Sequence, residues 1–97
     1  MPIQNISNQQ FRKLHELTIK PISFDAIVRG KKRFVLRKND RNFAVHDIIC
    51  LNEIEKRTFT GRSVYCQIDS IYDNIPQYGL MDLYIILSIT AIFKING

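Results

Sequence analysis

Short segments in which apolar and polar residues alternate recur along most of the chain, and this pattern constrains the fold more than any other feature of the sequence. In HELTIK, Leu17 and Ile19 fall on one side, and Glu16, Thr18 and Lys20 fall on the other. The same two-residue period returns in SVYCQIDSIY, and RFVLR is also predicted as a strand, with Phe34 and Leu36 on one face and Val35 on the other. Successive side chains of a β-strand point to opposite faces of a sheet, so a period of two is typical of half-buried strands.

The predicted strands are joined by short loops. Between the third and fourth strands, residues 55–62 (EKRTFTGR) are predicted to close a hairpin with Gly61 in its loop, and residues 73–79 (DNIPQYG) are predicted to form another loop. About five strands and one early helix in a chain of 97 residues indicate a mainly β (α+β) fold, a small closed or half-closed barrel. The predicted strands cover residues 15–20, 32–38, 45–54, 63–72 and 83–92.

One short helix is predicted between the first two strands. Pro21 lies in its entry turn, and Ser23 is expected to be its N-cap. The helix has one apolar stripe because its apolar residues are spaced three and four positions apart. Gly30 is predicted to end the helix, since glycine adopts positive φ without strain. The stripe consists of Phe24, Ile27 and Val28.

A polar arm over residues 1–13 and a single domain over residues 14–97 are expected. The arm lacks the apolar stretch of a secretory signal, and no apolar run approaches the roughly 18 residues that a membrane span needs. Cys50 and Cys66 have no CxxC spacing and are expected to be buried, reduced thiols. These features predict a cytoplasmic protein that does not enter a membrane, and they leave the oligomeric state and the role of the arm open.

Most of the positive charge lies in one window. The formal net charge is +5, yet residues 29–41 carry seven basic residues and one acid, which leaves seven basic and eight acidic residues elsewhere. The rest of the chain is therefore close to neutral, and the positive charge forms a single cationic patch. Such a patch raises the local concentration of phosphate or carboxylate partners. A solvated basic surface is the alternative interpretation.

Lys32 and Arg37 are the two cations that the predicted fold brings together. Lys32 follows the glycine that ends the helix, and Arg37 shares a strand face with Val35, so both can point into one concavity. Arginine offers a planar fork for phosphate or a base edge, and lysine offers a mobile point charge. The predicted ligand-binding residues are Lys32, Arg33, Arg37, Lys38, Asn39, Asp40, Arg41 and Tyr84.

Four tyrosines in the second half of the chain have two interpretations. They can supply a face on which bases stack, or they can pack as amphipathic residues of the barrel. These are Tyr65, Tyr72, Tyr78 and Tyr84.

No sequence motif marks an active site or a cofactor site. The chain has no GxSxG elbow, P-loop or GxGxxG motif, and it is too small to frame a glycosidase cleft around Glu53 and Glu55. His15 and His46 have no HxxxH or CxxC neighbour. We therefore predict no cofactor and no metal site, and we keep Lys32 as the catalytic candidate.

The segment HELTIKPISFDAIVRGKKRFVLRKNDRNFAVHDIICL resembles the ASCH superfamily of small barrels, which are similar to PUA domains, and a branch found in bacteria and phages in particular. His15, Leu17 and Pro21 match the opening of that branch, and RKNDR at residues 37–41 matches its turn. Thr60-Gly61-Arg62 and YIIL at residues 84–87 also fit, so the resemblance covers about residues 15–89.

The superfamily signature is Gly-x-Lys-x-x-Glu-x-Arg, and this chain supplies Gly30, Lys32 and Arg37. Val35 stands at the Glu position, and His46 stands where the superfamily has the glycine of a Val-Gly-Asp motif. The resemblance implies a barrel with a cleft beside the helix that holds RNA or a nucleotide-like ligand. Without the glutamate, Arg37 is expected to be freer for an external anion, unless the cleft has decayed.

The resemblance also implies an alternative, because one ASCH branch hydrolyses an acetylated cytidine with a lysine that activates a threonine. The threonine position is Val35 here, and valine can be neither a nucleophile nor an acid. The first prediction is therefore a module that binds RNA, another single-stranded nucleic acid or a phosphate-bearing nucleotide. The alternatives are a nucleoside amidohydrolase, with Lys32 as base and either a water on Asp40 or the Tyr84 hydroxyl replacing the nucleophile, and a protein-interaction or regulatory module.

Overall fold

A computed structural model describes residues 12–73 and 83–96 of the chain. The mainly β fold with one early helix is confirmed. Most of the predicted polar arm, Tyr78 and the predicted loop after Asp73 lie outside the described residues. The elements are β1 (Leu14–Ile19), α1 (Pro21–Val28), β2 (Phe34–Lys38), β3 (Ile48–Glu55), β4 (Thr58–Tyr72) and β5 (Tyr84–Ile95).

The five strands form one sheet in the order β1-β3-β4-β5-β2, curved into a half-barrel. β1 pairs with β3 in parallel, and the other three pairings are antiparallel. β1 and β2 are therefore the two edges of the sheet, and we call the gap between them the seam. Two guanidinium groups cross the seam, because Arg37 Nη2 donates to the Thr18 carbonyl at 2.6 Å and Arg41 Nη1 donates to the Glu16 carbonyl at 2.9 Å.

The core lies on the concave face of the sheet, beneath α1. The alternation in the sequence predicts this face: Leu17 and Ile19 are buried on β1, and Val64, Cys66 and Ile68 are buried on β4. Each fully buried aliphatic or aromatic side chain contributes about 1.5–3 kcal/mol relative to an exposed one. The other buried apolar residues of this core cluster are Phe24, Ile27, Val35, Ile49, Leu51, Ile85, Leu87 and Ile89.

Helix α1 begins at Pro21, whose fixed φ suits the first helical position. Lys20, and not Ser23, occupies the N-cap position, and its side chain makes no capping hydrogen bond, so the predicted cap was wrong. Phe24 and Ile27 are buried as predicted. The buried stripe outweighs the missing cap, because packing of an apolar face supplies most of the stability of a short helix.

Helix α1 ends at Val28, and Gly30 stops it, as predicted. Gly30 has φ +76°, its N–H donates to the Ile27 carbonyl, and the Lys31 N–H donates to the Ala26 carbonyl at 2.8 Å. These two bonds define a Schellman motif, for which glycine is the preferred residue because no Cβ opposes positive φ. The motif sets the direction in which the chain leaves the helix, and Lys32 follows immediately.

The hairpin between β3 and β4 differs from the prediction. Its turn is Lys56-Arg57, both with positive φ, and Gly61 (φ 92°) lies inside β4. Between the pairs Asn52↔Ser63 and Ile54↔Phe59, β4 contains more residues than β3, so the strand bulges at Gly61. Glycine is as typical of a bulge as of a turn, and the sequence alone does not separate the two.

Two buried carboxylates join the elements. Asp47 accepts bonds from the Lys13 and Ala44 amides and from His15 Nε2 at 2.8 Å. Burial raises the pKa of Asp47, but these hydrogen bonds outweigh burial and hold it below its usual range. Glu53 binds Arg62 through both oxygens, at 2.7 and 2.5 Å, and this pairing holds the Glu53 pKa low. The bulge at Gly61 brings Arg62 into that position.

Cys50 and Cys66 are free and buried, as predicted. Burial, with smaller contributions from Cys50 and Asp69, raises the pKa of the Cys66 thiol to about 12. Within residues 12–73 and 83–96, no helix is long and apolar enough to cross a bilayer.

Candidate functional site

A hollow of about 330 Å³ lies where the seam meets α1. The end of β1, the first turn of α1, Lys32 and residues 35–37 of β2 line it, and Ile54 lines it from β3. Its size falls at the lower end of the range for small-molecule sites. We call it the seam hollow. It is lined by Thr18, Ile19, Lys20, Ser23, Lys32, Val35, Leu36, Arg37 and Ile54.

Lys32 reaches the seam hollow because of the way α1 ends. The Lys32 N–H donates to the Ala26 carbonyl at 3.1 Å, so the chain folds back over the last turn of the helix. The ammonium then lies 3.4 Å from the Ser23 hydroxyl and 5.2 Å from the centre of the Phe34 ring. It thus stands between the seam hollow and the outer surface of β2, and a cation over an aromatic face is itself a favourable contact.

Arg37 enters the seam hollow from the concave face of β2, which it shares with the buried Val35. Its Nη2 is held by the Thr18 carbonyl, while its Nε is buried and has no hydrogen-bond partner among the described residues. Burial, and then the charge of Arg41, lower the pKa of Arg37. The guanidinium is therefore held in place by neutral main chain, and within residues 12–73 and 83–96 no carboxylate pairs with it.

The lining of the seam hollow is unbalanced in charge. Among the described residues that line it are three cations, Lys20, Lys32 and Arg37, and no carboxylate. The remaining wall is largely apolar, with Ile19, Val35, Leu36 and Ile54. Like charges in a half-buried site destabilise one another, and an anion placed between them relieves that cost. The arrangement suits an anion that carries an apolar or planar group.

Of the eight predicted ligand-binding residues, the structure brings Lys32 and Arg37 together at the seam hollow. Arg41 bridges the seam to Glu16 and lies 3.8 Å from Asp40. Arg33 bonds to the Gly30 carbonyl and lines a separate cavity of about 250 Å³.

The other predicted residues lie further along β2. Lys38 pairs with Tyr84 across β2 and β5, on the convex face of the sheet. Asn39 holds the end of β2 to Leu83 through its backbone N–H, at 2.6 Å. The predicted ligand-binding residues other than Tyr84 therefore lie in one segment of the sequence, but the fold distributes their side chains over several separate surfaces. Neither Asp40 nor Tyr84 lines the seam hollow, so they are not beside Lys32 as the predicted replacements for the nucleophile.

Sequence reasoning missed Lys20, Ser23 and the Thr18 carbonyl as parts of this site. Lys20 directly precedes Pro21 at the start of α1 and lies at the mouth of the seam hollow. Its position just before a predicted helix is the sequence signal that indicates this location. Ser23 was assigned to capping, although its hydroxyl contacts Lys32. A backbone carbonyl has no sequence signal, so the partial tethering of Arg37 was not predictable from residue types.

These features define a class of small, mainly β half-barrel domains with a cationic hollow at the open edge of the sheet. A family model described as a domain of unknown function, DUF3850, matches residues 14–89, and the chain belongs to this family. A 12.9 kDa protein of Escherichia phage P2, described as an uncharacterized protein in the GpA 3′ region, is 39% identical over 61 residues. That match covers 63% of this chain and 56% of the phage protein.

Proposed function

We propose that the seam hollow binds a phosphate-bearing ligand, and that the physiological ligand is RNA or another single-stranded nucleic acid. One observation supports this proposal above the others. Lys32, in the loop after α1, and Arg37, on β2, line the same hollow, and no carboxylate is among the described residues that line it.

Phosphate fits this site better than a carboxylate ligand does. Lys32 supplies a point charge, the Ser23 hydroxyl next to it supplies a further donor, and Arg37 supplies a planar fork. A phosphate has three or more acceptor oxygens in a tetrahedral arrangement, so it offers these donors more acceptors than a carboxylate does. The apolar wall formed by Ile19, Val35 and Leu36 then accommodates part of a sugar or base.

Membership of the ASCH superfamily remains a proposal, and two backbone features support it. Gly30, which matches the signature glycine, has φ +76°, a conformation that favours glycine. His46 stands where the superfamily has glycine, and it has φ 80°. Because the backbone at this position has positive φ, glycine is the favoured residue there, and that explains the glycine in the superfamily motif. Histidine adopts the same φ here at an energetic cost.

Salt-dependent binding of a fluorescein-labelled oligouridylate of about ten nucleotides tests the proposal. We expect the logarithm of the affinity to fall by about 0.7 for each phosphate contacted per log unit of salt, and Lys32→Ala to lower the affinity and reduce the slope. Lys56→Ala is the matched control, because Lys56 is an exposed lysine in the β3–β4 turn. Equal affinity of the Lys32 and Lys56 variants would show that the seam hollow is not the site.

The contact between Lys32 and Ser23 supports a second candidate function. Ser23 Oγ lies 3.4 Å from Lys32 Nζ, so Ser23 provides the hydroxyl that Val35 lacks, and Lys32 in its neutral amine form is the base that would accept the serine proton. An acylated cytidine incubated with the protein tests this candidate. An amidohydrolase is favoured if the parent protein turns over this substrate and both Ser23→Ala and Lys32→Ala lose the activity. If the parent shows no turnover, the amidohydrolase is rejected and the binding module is kept.

A further inference from the structure

The convex face of β2, β5 and β4 presents a continuous row of apolar and aromatic side chains. Cross-strand pairs share a face, and the register pairs Leu36 with Ile86 and Ile86 with Tyr72. One step along, Ser88 lies between Phe34 and Ser70, and its hydroxyl bonds to that of Ser70. We call this surface the outer sheet face. It consists of Phe34, Leu36 and Lys38 on β2, Tyr84, Ile86 and Ser88 on β5, and Ser70 and Tyr72 on β4.

The aromatic residues of the outer sheet face are exposed and not packed away. The exposed fractions are 46% for Phe34, 51% for Tyr72 and 38% for Tyr84, and Leu36 between them is 48% exposed. A contiguous exposed apolar patch on a small domain usually marks a binding surface. The eight described residues that define the patch include Lys38 and no carboxylate, Asp69 borders the patch where it accepts a bond from Thr90, and Lys32 lies over the Phe34 ring.

We propose that the outer sheet face stacks the unpaired bases of a single-stranded nucleic acid whose backbone enters the seam hollow. This inference rests on the proposed function and identifies the ligand as a strand and not a free nucleotide. Aromatic side chains combined with cations are the usual composition of single-strand binding surfaces, because every base has a face that stacks on an aromatic ring.

The two surfaces are adjacent because β2 is an edge strand. Only the thickness of β2 separates the seam hollow from the outer sheet face, and Leu36 belongs to both. Lys32 marks the crossing point, with its ammonium near Ser23 on one side and the Phe34 ring on the other. A strand that places a phosphate at Lys32 can therefore fold over β2 without leaving the protein surface.

The spacing of the aromatic residues also suits consecutive nucleotides. Alternate residues of a strand are about 6.6–7 Å apart, and neighbouring strands are about 4.8 Å apart. Phe34 and Tyr84 are four residues apart in register along β2, since Tyr84 pairs with Lys38. The exposed rings thus span a length of several nucleotides. A duplex has its bases stacked internally, so it gains nothing from these rings.

The experiment compares binding of two probes to single and combined leucine variants of Phe34, Tyr72 and Tyr84. Leucine keeps the apolar bulk of these exposed positions but removes the aromatic ring. Phe59→Leu is the control, because Phe59 is also an exposed aromatic residue on β4 but lies at the β3–β4 hairpin. The probes are the labelled oligouridylate of about ten nucleotides and free uridine monophosphate.

We expect each aromatic variant to weaken oligouridylate binding by about tenfold, while the Tyr72 and Tyr84 variants keep the parent's binding of uridine monophosphate, and we expect the control to match the parent for both probes. Equal oligouridylate affinity in all variants overturns the inference. Size-exclusion chromatography of the same variants tests whether a second copy of the chain occupies the outer sheet face instead. A parent dimer that the leucine variants convert to a monomer also overturns it, since the face would then join two copies of the chain.

The result separates the inference from the proposed function. Binding of uridine monophosphate that depends on Lys32, with no gain in affinity for the oligomer, keeps the proposed function and rejects the inference. Oligomer binding that depends on the aromatic residues but not on Lys32 keeps the outer sheet face as a nucleic-acid surface and rejects the seam hollow as the phosphate site.

Discussion

At the scale of single residues, the contact between Glu53 and Arg62 is expected to be the most important polar interaction for stability. The Glu53 carboxylate is buried and accepts bonds from Arg62 and from Thr60 at 2.6 Å, while Arg62 also lies over the Phe24 ring. Arg62 therefore connects the β3–β4 hairpin to α1. Removing one partner of a buried pair leaves an uncompensated charge, although the Arg62 side chain is 36% exposed and water screens part of it.

We predict that Glu53→Gln lowers the free energy of unfolding by about 2 kcal/mol, less than for a fully buried pair because Arg62 remains hydrated. Urea denaturation at neutral pH measures the change. Glu55→Gln is the matched control, since Glu55 is an exposed residue of the same strand, and its effect is expected within about 0.5 kcal/mol. Equal effects of the two substitutions would contradict the role given to Arg62.

Asp47 makes stability depend on pH in the acid range. Its folded pKa is held below the unfolded value by hydrogen bonds from His15, Lys13 and Ala44, which together exceed the effect of burial. The stabilisation is therefore present above the unfolded pKa of about 3.9 and is lost as the pH falls through the folded pKa. We predict a decline in the free energy of unfolding below about pH 4, measured by denaturation at a series of pH values.

Asp47→Asn isolates this contribution. The variant is expected to be less stable than the parent at pH 7 and to show a shallower decline in acid, because the titrating group is gone. Asp73→Asn, at an exposed position, should leave the profile unchanged. A parent-like acid decline in the Asp47 variant would mean that other carboxylates dominate the profile.

At the scale of elements, the β3–β4 turn is built from residues that do not suit it. Lys56 and Arg57 have φ of 52° and 66°, and a two-residue hairpin turn with positive φ at both positions favours Asn-Gly. We predict that Lys56→Asn with Arg57→Gly raises the free energy of unfolding by about 1 kcal/mol, or the melting temperature by a few degrees. Thr58→Gly, one residue further and within β4, should lower it.

The elements themselves were largely predictable, because alternation reports directly on burial. Leu17 and Ile19 on β1, and Val35 and Arg37 on β2, lie on the faces that the period of two predicts. The errors occurred where one residue type serves two structures. Gly61 signals a turn or a bulge equally well, and tertiary pairing with β3 makes it a bulge. Likewise, the long pairing between β4 and β5 extends β5 to Ile95, beyond the predicted strand end.

The candidate site was predictable only in part. The positions of Lys32 and Arg37 follow from a glycine that ends a helix and from strand alternation, which are local rules. The separation of Arg41 from the seam hollow does not follow from local rules, because Arg41 binds the Glu16 carbonyl, which the topology brings near, whereas Arg33 binds the Gly30 carbonyl three residues before it. A run of basic residues predicts a charged segment, whereas the fold decides which of them face one another.

At the scale of the whole molecule, Arg37 belongs both to the closure of the seam and to the proposed site. Its environment is poor for a charge: it is half-buried, Nε has no partner among the described residues, and Arg41 is close enough to lower its pKa. It makes one bond across the seam, to Thr18. An apolar residue here would avoid the cost of burying a charge, so the guanidinium is more consistent with binding than with closure.

We therefore predict that Arg37→Met changes the free energy of unfolding by no more than about 1 kcal/mol, since the lost hydrogen bond is offset by relief of the buried charge. We also expect phosphate to raise the melting temperature of the parent and not that of the same variant, because a ligand that binds only the native state stabilises it. Arg57→Met, in the exposed turn, should keep that rise. Destabilisation by about 3 kcal/mol or more would instead make Arg37 a structural bridge between the two sheet edges.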